Sequence, residues 1–194
     1  DGDMETLLIE GVTDILHRLP SLPPAVLVFT SCIHHFLGCD LALCYRELRK
    51  RFPDVDFTDC YMNPIMRKSG LTPDQLMRRQ LYSLLKPRAQ DDGVNILGNC
   101  FPTDETSELV KIIRQTGRPL RDITVCKTYE DYQKMAVSAL HIAYYPPARA
   151  GGEALSNRLG GTFLYLPLRY TAKTIRRNLQ TLCEALGTSY DLSE

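Results

Sequence analysis

Short apolar runs rich in β-forming residues recur along this chain, separated by stretches with helical hydrophobic spacing. That alternation most constrains the fold, because strands alternating with helices close into parallel βαβ units with right-handed crossovers. The first such run is residues 25–30, AVLVFT, entered through Pro20, Pro23 and Pro24. A continuous apolar run suits a strand buried on both faces. Before it, Leu7, Leu8, Val12, Ile15, Leu16 and Leu19 fall at helical spacing. After it, Asp40 reads as an N-cap, and Leu41, Cys44, Tyr45, Leu48 and Phe52 form one face of the next helix. Residues 55–60 read as a second strand and 61–70 as a loop with Asn63-Pro64 and Ser69-Gly70 turn signals. Thr72, Pro73 and Gln75 combine a capping box with a proline at the first helical position.

Residues 86–93 (KPRAQDDG) are polar and breaker-rich, which places a boundary between domains 1–88 and 89–194. The second domain predicts strands at 94–98, 122–126, 140–145 and 162–166 in a four-stranded parallel sheet. Helices are expected at 103–115, near 129–135, at 148–159 and at 171–186. The third of these is weakened by Gly151-Gly152. The fold class is therefore α/β: Rossmann-like parallel βαβ units, three-layer, in two sub-domains. With two strands the first is too small for an independent sheet and reads as incomplete at its N-terminal end. A chain opening on Asp1 rather than Met also reads as a piece of a longer one.

Lys+Arg and Asp+Glu both number 23, so the net charge is zero and there is no electrostatic footprint for nucleic acid. No apolar run approaches a membrane span and no signal-peptide order is present. Seven cysteines at irregular spacing, without a Cys-x-x-Cys pair, argue for reduced thiols in a cytoplasmic protein. Neither a Gly-x-Gly-x-x-Gly turn nor a P-loop occurs, so no NAD or ATP site is expected.

Ligands of open parallel sheets bind at the carboxyl ends of the strands. Cys32, Cys60, Cys100 and Cys126 fall there. A cysteine is by default a small core residue. Cys32 differs in its surroundings, with His34, His35, Gly38 and Asp40 following and a helix N-terminus near Asp40 that favours a thiolate. His34 and His35 are neighbours, so both cannot easily serve one site. Cys39 and Cys44, five apart, make a poor helical pairing and read as core. Tyr61, Asn63 and Arg67 lie on the loop after the second strand, and Asn99, Cys100 and Phe101 on the loop opening the second domain. These loops would line a pocket between the units.

Thr30-Ser31-Cys32, five further residues and then Gly38-x-Asp40 also carry a family resemblance. The pattern resembles the nitrogenase component 1 type oxidoreductases, in which a buried strand runs into such a triplet and an Ile/Leu-Gly-x-Asp element follows at this distance. Leu37-Gly38-Cys39-Asp40 occupies that element here, with Cys39 where an acidic residue is common. The helix before residue 20, the Val94-to-Gly98 strand and the strand at 160–166 are also in register, so the resemblance covers nearly the whole chain.

The resemblance implies a nitrogenase component 1-like oxidoreductase, of which this chain is a fragment. Such a protein reduces a substrate with electrons from an ATP-dependent partner reductase, through an iron–sulfur cluster at the interface with a homologous partner subunit. It makes Cys32 a candidate cluster ligand. The remaining ligands are expected from an N-terminal segment and the neighbouring subunit, so the isolated fragment is expected to lack the cluster and to be inactive. The strand that carries a cofactor-binding cysteine in some members has no cysteine here; Tyr144 stands at or near its place and His141 precedes it on the same strand. A lone histidine in an apolar strand is by default a hydrogen-bonded core residue. No catalytic residue is assigned. The alternative is a non-catalytic metal-cofactor assembly scaffold or cofactor-binding module on the same fold, which Tyr144 and Cys39 favour. A domain of an unrelated iron–sulfur dehydratase is a third.

Overall fold

Helix and strand alternate from Met4 onward as the hydrophobic pattern requires, and the hydrogen bonding sorts them into two parallel sheets. The computed structural model describes residues 4–62 and 70–191, Tyr61 by its backbone alone. The chain divides into two compact units, Asp1–Leu84 and Leu85–Glu194. None of the described helices is long and apolar enough to cross a membrane.

Unit 1 comprises α1 (Met4–Arg18), β1 (Ala25–Ser31), α2 (Cys32–Phe36), α3 (Leu41–Arg51), β2 (Asp56–Met62) and α4 (Pro73–Ser83). β1 and β2 pair in parallel from Ala25↔Asp56 to Ser31↔Met62, with α3 as the crossover. α1 lies on α3, and Ile9, Leu16, Cys44, Tyr45, Leu48, Phe52 and Phe57 form the core between them and the sheet. Side chains lock this packing to the strands: the Tyr45 hydroxyl donates to Val28 O at 3.3 Å and Arg49 Nη2 to Phe57 O at 3.0 Å. The caps at Asp40 and Thr72 form as their residue types predict. Three details differ from the sequence reading. Residues 32–36 are helical, β2 runs on through Tyr61 and Met62, and β1 is buried only at Thr30, with Phe29 57% exposed. In a two-stranded sheet each strand has one flank without a neighbour, so an apolar run alone does not bury both faces.

Unit 2 comprises β3 (Asp91–Ile96), α5 (Glu108–Gln115), β4 (Leu120–Asp122), α6 (Tyr129–Gln133), β5 (Ser138–Ala143), α7 (Arg149–Leu159), β6 (Thr162–Tyr165) and α8 (Ala172–Leu186). The strands are all parallel in the order β4-β3-β5-β6. The chain starts at β3, steps outward to β4 and then returns past β3 to β5 and β6. That reversal puts the switch point of the sheet between β3 and β5, where the loops leaving the two strands diverge. Val94, Ile112, Ile113, Leu140, Ile142, Leu179 and Leu182 make the main core under α5 and α8.

α7 is continuous despite its paired glycines. A Cβ at Gly152 would stand 2.1 Å from the Phe163 ring of β6, so the glycine is the point of closest approach of helix to strand rather than an interruption. The strand expected at 122–126 is instead β4, ending at Asp122, followed by a 3-10 turn over Ile123–Val125. The cause is the Asp122 carboxylate, which accepts from Thr124 N at 2.8 Å and turns the backbone out of the sheet. The helix expected from 103 begins at Glu108, behind an N-cap at Ser107, because Asp104 closes its own turn by accepting from Thr106 N at 2.8 Å.

Candidate functional site

In unit 1, Cys32 is the first residue of α2, directly after β1, and is half-buried and free. α2 opens with Ser31 as N-cap, whose backbone N–H donates to His34 Nδ1 at 3.3 Å. His34 and His35 line a hollow of about 230 Å³ with Thr30, Ser31, Cys39 and Asp40, and Cys32 is outside that lining. Cys60 is fully buried in β2, and burial pushes its thiol up to about 11. The Tyr61 side chain, Asn63 and Arg67 lie outside the described residues. Among the described residues no group of three or more His, Cys, Asp or Glu could hold a metal ion. An iron–sulfur cluster takes about four thiolates. The described residues around Cys32 therefore do not fit a complete cluster site; they offer one thiol.

Cys39 and Cys44 are paired in space although their spacing argued against it. Asp40 is the N-cap of α3, so Cys39 stands just outside the helix and Cys44 in its first turn, the two positions that pack as a hydrophobic staple. Their thiols share a hydrogen bond, and burial pushes the Cys44 thiol up to about 12.

Unit 2 carries a cavity of about 690 Å³ at the carboxyl end of its sheet. Three walls are the loop after β3 (99–104), Tyr144 and Tyr145 after β5, and residues 166–169 after β6, with the first turn of α5 and one face of α8 closing it. Asn99, Cys100, Phe101 and Tyr144 line it; the sequence reading had put the first three on a pocket between the units and Tyr144 at or near a cofactor-ligand position. Cys100 and Phe101 are exposed at the rim. His141 is inside the sheet, fully buried, with Nδ1 accepting from Asn95 Nδ2 at 3.0 Å. Asn95 Nδ2 donates also to Met135 O at 2.7 Å, which makes His141 the neutral Nε2–H tautomer. Burial holds the imidazole pKa below its ordinary value, against a smaller opposing pull from the Gly160 backbone.

The polar end of the cavity is organised by Asp122, only 8% exposed at the tip of β4. Five hydrogen bonds converge on its carboxylate: two from Asn99 Nδ2 at 2.8 and 2.9 Å, one from Thr103 N at 3.0 Å, and those of Thr124 N at 2.8 Å and Thr124 Oγ1 at 2.6 Å. Burial alone would raise this carboxyl. The hydrogen bonds from Thr124, Thr103 and Asn99 outweigh burial and hold it below the usual aspartate value, so it is ionised at neutral pH. The loop it holds begins with Gly98 at φ 80°, a left-handed turn that glycine makes without strain. Thr103 Oγ1 then meets the Tyr144 hydroxyl at 3.1 Å, and burial pushes that phenol above its ordinary value. Tyr144 thus stays protonated and can donate. Asp122 and Thr103 escaped the sequence reading. The available signal was Asp122-x-Thr124, an aspartate two residues before a threonine, which is a turn signature as much as a strand start.

The family profile of the nitrogenase component 1 type oxidoreductases matches residues 8–194. Among curated proteins none matches. A solved structure of nitrogenase Cp1 at pH 5 shares the fold with a TM-score of 0.67 at 13% identity, over 94% of this chain and 38% of that one. A second, nitrogenase Cp1 at pH 6.5, gives 0.63 at 14% identity over 94% and 37%. The chain spans well under half the length of these structures.

Proposed function

This chain belongs to the nitrogenase component 1 type oxidoreductase family, and from that premise we propose that it contributes a substrate-binding wall and one cluster ligand to a reductase. The observation that carries the reading is the unit 2 cavity, lined by mainly apolar side chains and by the protonated phenol of Tyr144, whose partner Thr103 is held from behind the wall by the ionised Asp122. The apolar lining limits water around a bound substrate. Tyr144 O–H is placed to donate a hydrogen bond, or a proton, to a group being reduced. Asp122 acts through the loop: by holding Asn99 and Thr103 it fixes where the Tyr144 hydroxyl is engaged.

In this reading Cys32 would supply one thiolate to an iron–sulfur cluster at a subunit interface, which a partner reductase would serve. The cluster would supply single electrons at low potential; its other ligands would come from outside the described residues. A second reading, a cofactor-binding scaffold without turnover, is favoured by one feature: the phenol of Tyr144, not a thiolate, stands at the end of β5.

The test is the intact protein, purified anaerobically with its partner subunit, as wild type and as Cys32→Ala. Loss of most of the iron and of the cluster absorption in the variant is expected. Unchanged iron content would remove Cys32 from the cluster. A fully loaded protein that binds ligand yet never turns over with its reductase would select the scaffold.

A further inference from the structure

We infer that the exposed face of α8 is a docking surface for an acidic face of a partner protein.

Residues 154–183 hold five cations and not one acid, in a chain whose charges balance at 23 each. Arg158 is engaged, donating to Leu85 O at 2.8 Å. The other four, Arg169, Lys173, Arg176 and Arg177, are exposed. Among the described residues none of these four meets a carboxylate within ion-pair distance. Lys173, Arg176, Arg177 and Gln180 follow helical spacing, so they share one face, and they line a shallow hollow of about 500 Å³.

The other long helices set the contrast. α1, α3, α4, α5 and α7 each carry an ion pair at i,i+3 or i,i+4: Arg18–Asp14, Lys50–Glu47, Arg78–Asp74, Lys111–Glu108 and Arg149–Glu153. α3 is as rich in cations as α8, but its Lys50 and Arg51 pair with Glu47 and Glu10, and Arg49 donates to Phe57 O. α8 leaves its cations open. It also sets Lys173 in its first turn, where the helix dipole disfavours a positive charge. Carboxylates brought by a partner would relieve both.

The surroundings select a protein. Tyr170 is 99% exposed and Leu168 67%, on either side of Arg169. Tyrosine and arginine are residue types enriched in protein interfaces. A helix that binds a membrane turns its apolar face outward. α8 instead buries Leu179, Leu182 and Leu186 in the core of unit 2. Nucleic acid is drawn to a basic domain, and the net charge of this chain is zero.

The probes are a short fluorescein-labelled peptide rich in glutamate, the same peptide with glutamine for each glutamate, single-stranded oligothymidylate, and phosphatidylserine vesicles. Each is titrated against the intact protein at low and at physiological salt. The glutamate peptide should bind about tenfold tighter than its glutamine counterpart and weaken as salt rises. Reversing charge with Arg176→Glu and Arg177→Glu together should weaken it about tenfold, with the urea midpoint unchanged. Arg46→Glu with Lys50→Glu, on α3, should leave binding as it is. No binding of the glutamate peptide, equal binding by the α8 variant, or an equal loss in the α3 variant would each overturn the inference. Tighter binding of oligothymidylate or of vesicles than of the glutamate peptide would overturn it as well, and would assign the face to nucleic acid or to a membrane. The wild-type comparison of the probes stands whether or not the α8 variant folds.

Discussion

The two units are built from the same alternation, yet they treat an aspartate at a chain reversal in opposite ways. In unit 1, Asp40 caps α3 from the surface, accepting from Leu43 N at 2.9 Å, while its own N–H is taken by Glu5 Oε1 at 2.5 Å. In unit 2, Asp122 also caps a turn, but it is buried and gathers five hydrogen bonds from three residues. The difference follows from the sheets. Two strands leave the cap of unit 1 near solvent, where water can replace a lost partner. Four strands, with β3 and β5 buried in the middle, bring several loop backbones to one place and leave them no water to turn to. A carboxylate there becomes the organiser of a site.

Substitution at the buried aspartate gives the largest expected effect. Asp122→Ala removes all five hydrogen bonds and leaves buried donors unpaired, so unit 2 should lose about 3 kcal/mol of stability, read as a lowered urea midpoint. A loss as small as that of an exposed cap would erase the contrast.

A pH series sharpens the same contrast from inside the sheet. The His141 pKa is lowered in the fold, whereas an unfolded histidine titrates near 6.5. Above that pH both states are neutral and nothing is lost. Below it the unfolded chain takes up a proton that the fold refuses, so stability falls as pH drops, by up to about 1.4 kcal/mol per pH unit until the folded pKa is reached. Urea midpoints of unit 2 between pH 7 and pH 5 should show this slope, and His141→Gln should flatten it. An unchanged slope in the variant would assign the effect elsewhere.

The smallest effect belongs to the exposed cap. Asp40→Ala should cost unit 1 about 1 kcal/mol, and Asp40→Asn much less, because Asn caps as well as Asp. If Asp40→Ala matched Asp122→Ala, burial would not be the reason the two aspartates differ.

Cys32 shows how far a motif reaches. Its place at the end of the first strand was readable from the run at 25–30 and the residues that follow, and β1 does end at Ser31. That it opens its own short helix, and that the adjoining hollow is lined by His34 and His35 without it, was not readable. No periodicity registers in five residues. The pairing of Cys39 with Cys44 was missed for a related reason. A spacing rule for two residues within one helix does not describe a pair with one member outside it.

The sequence by itself determined the parallel α/β architecture, the number of strands among the described residues of each unit, the caps at Asp40 and Thr72, and the loop carrying Asn99, Cys100 and Phe101. These follow from hydrophobic periodicity and from local side-chain chemistry, which act over a few residues. The tertiary structure alone decided that Asp122 is the anchor of the cavity, that Tyr144 answers to Thr103, 41 positions away, and that Asn99 keeps an unpaired oxygen. Those facts depend on which strands lie side by side. The order β4-β3-β5-β6 is set by the packing of the whole unit, and no single segment records it.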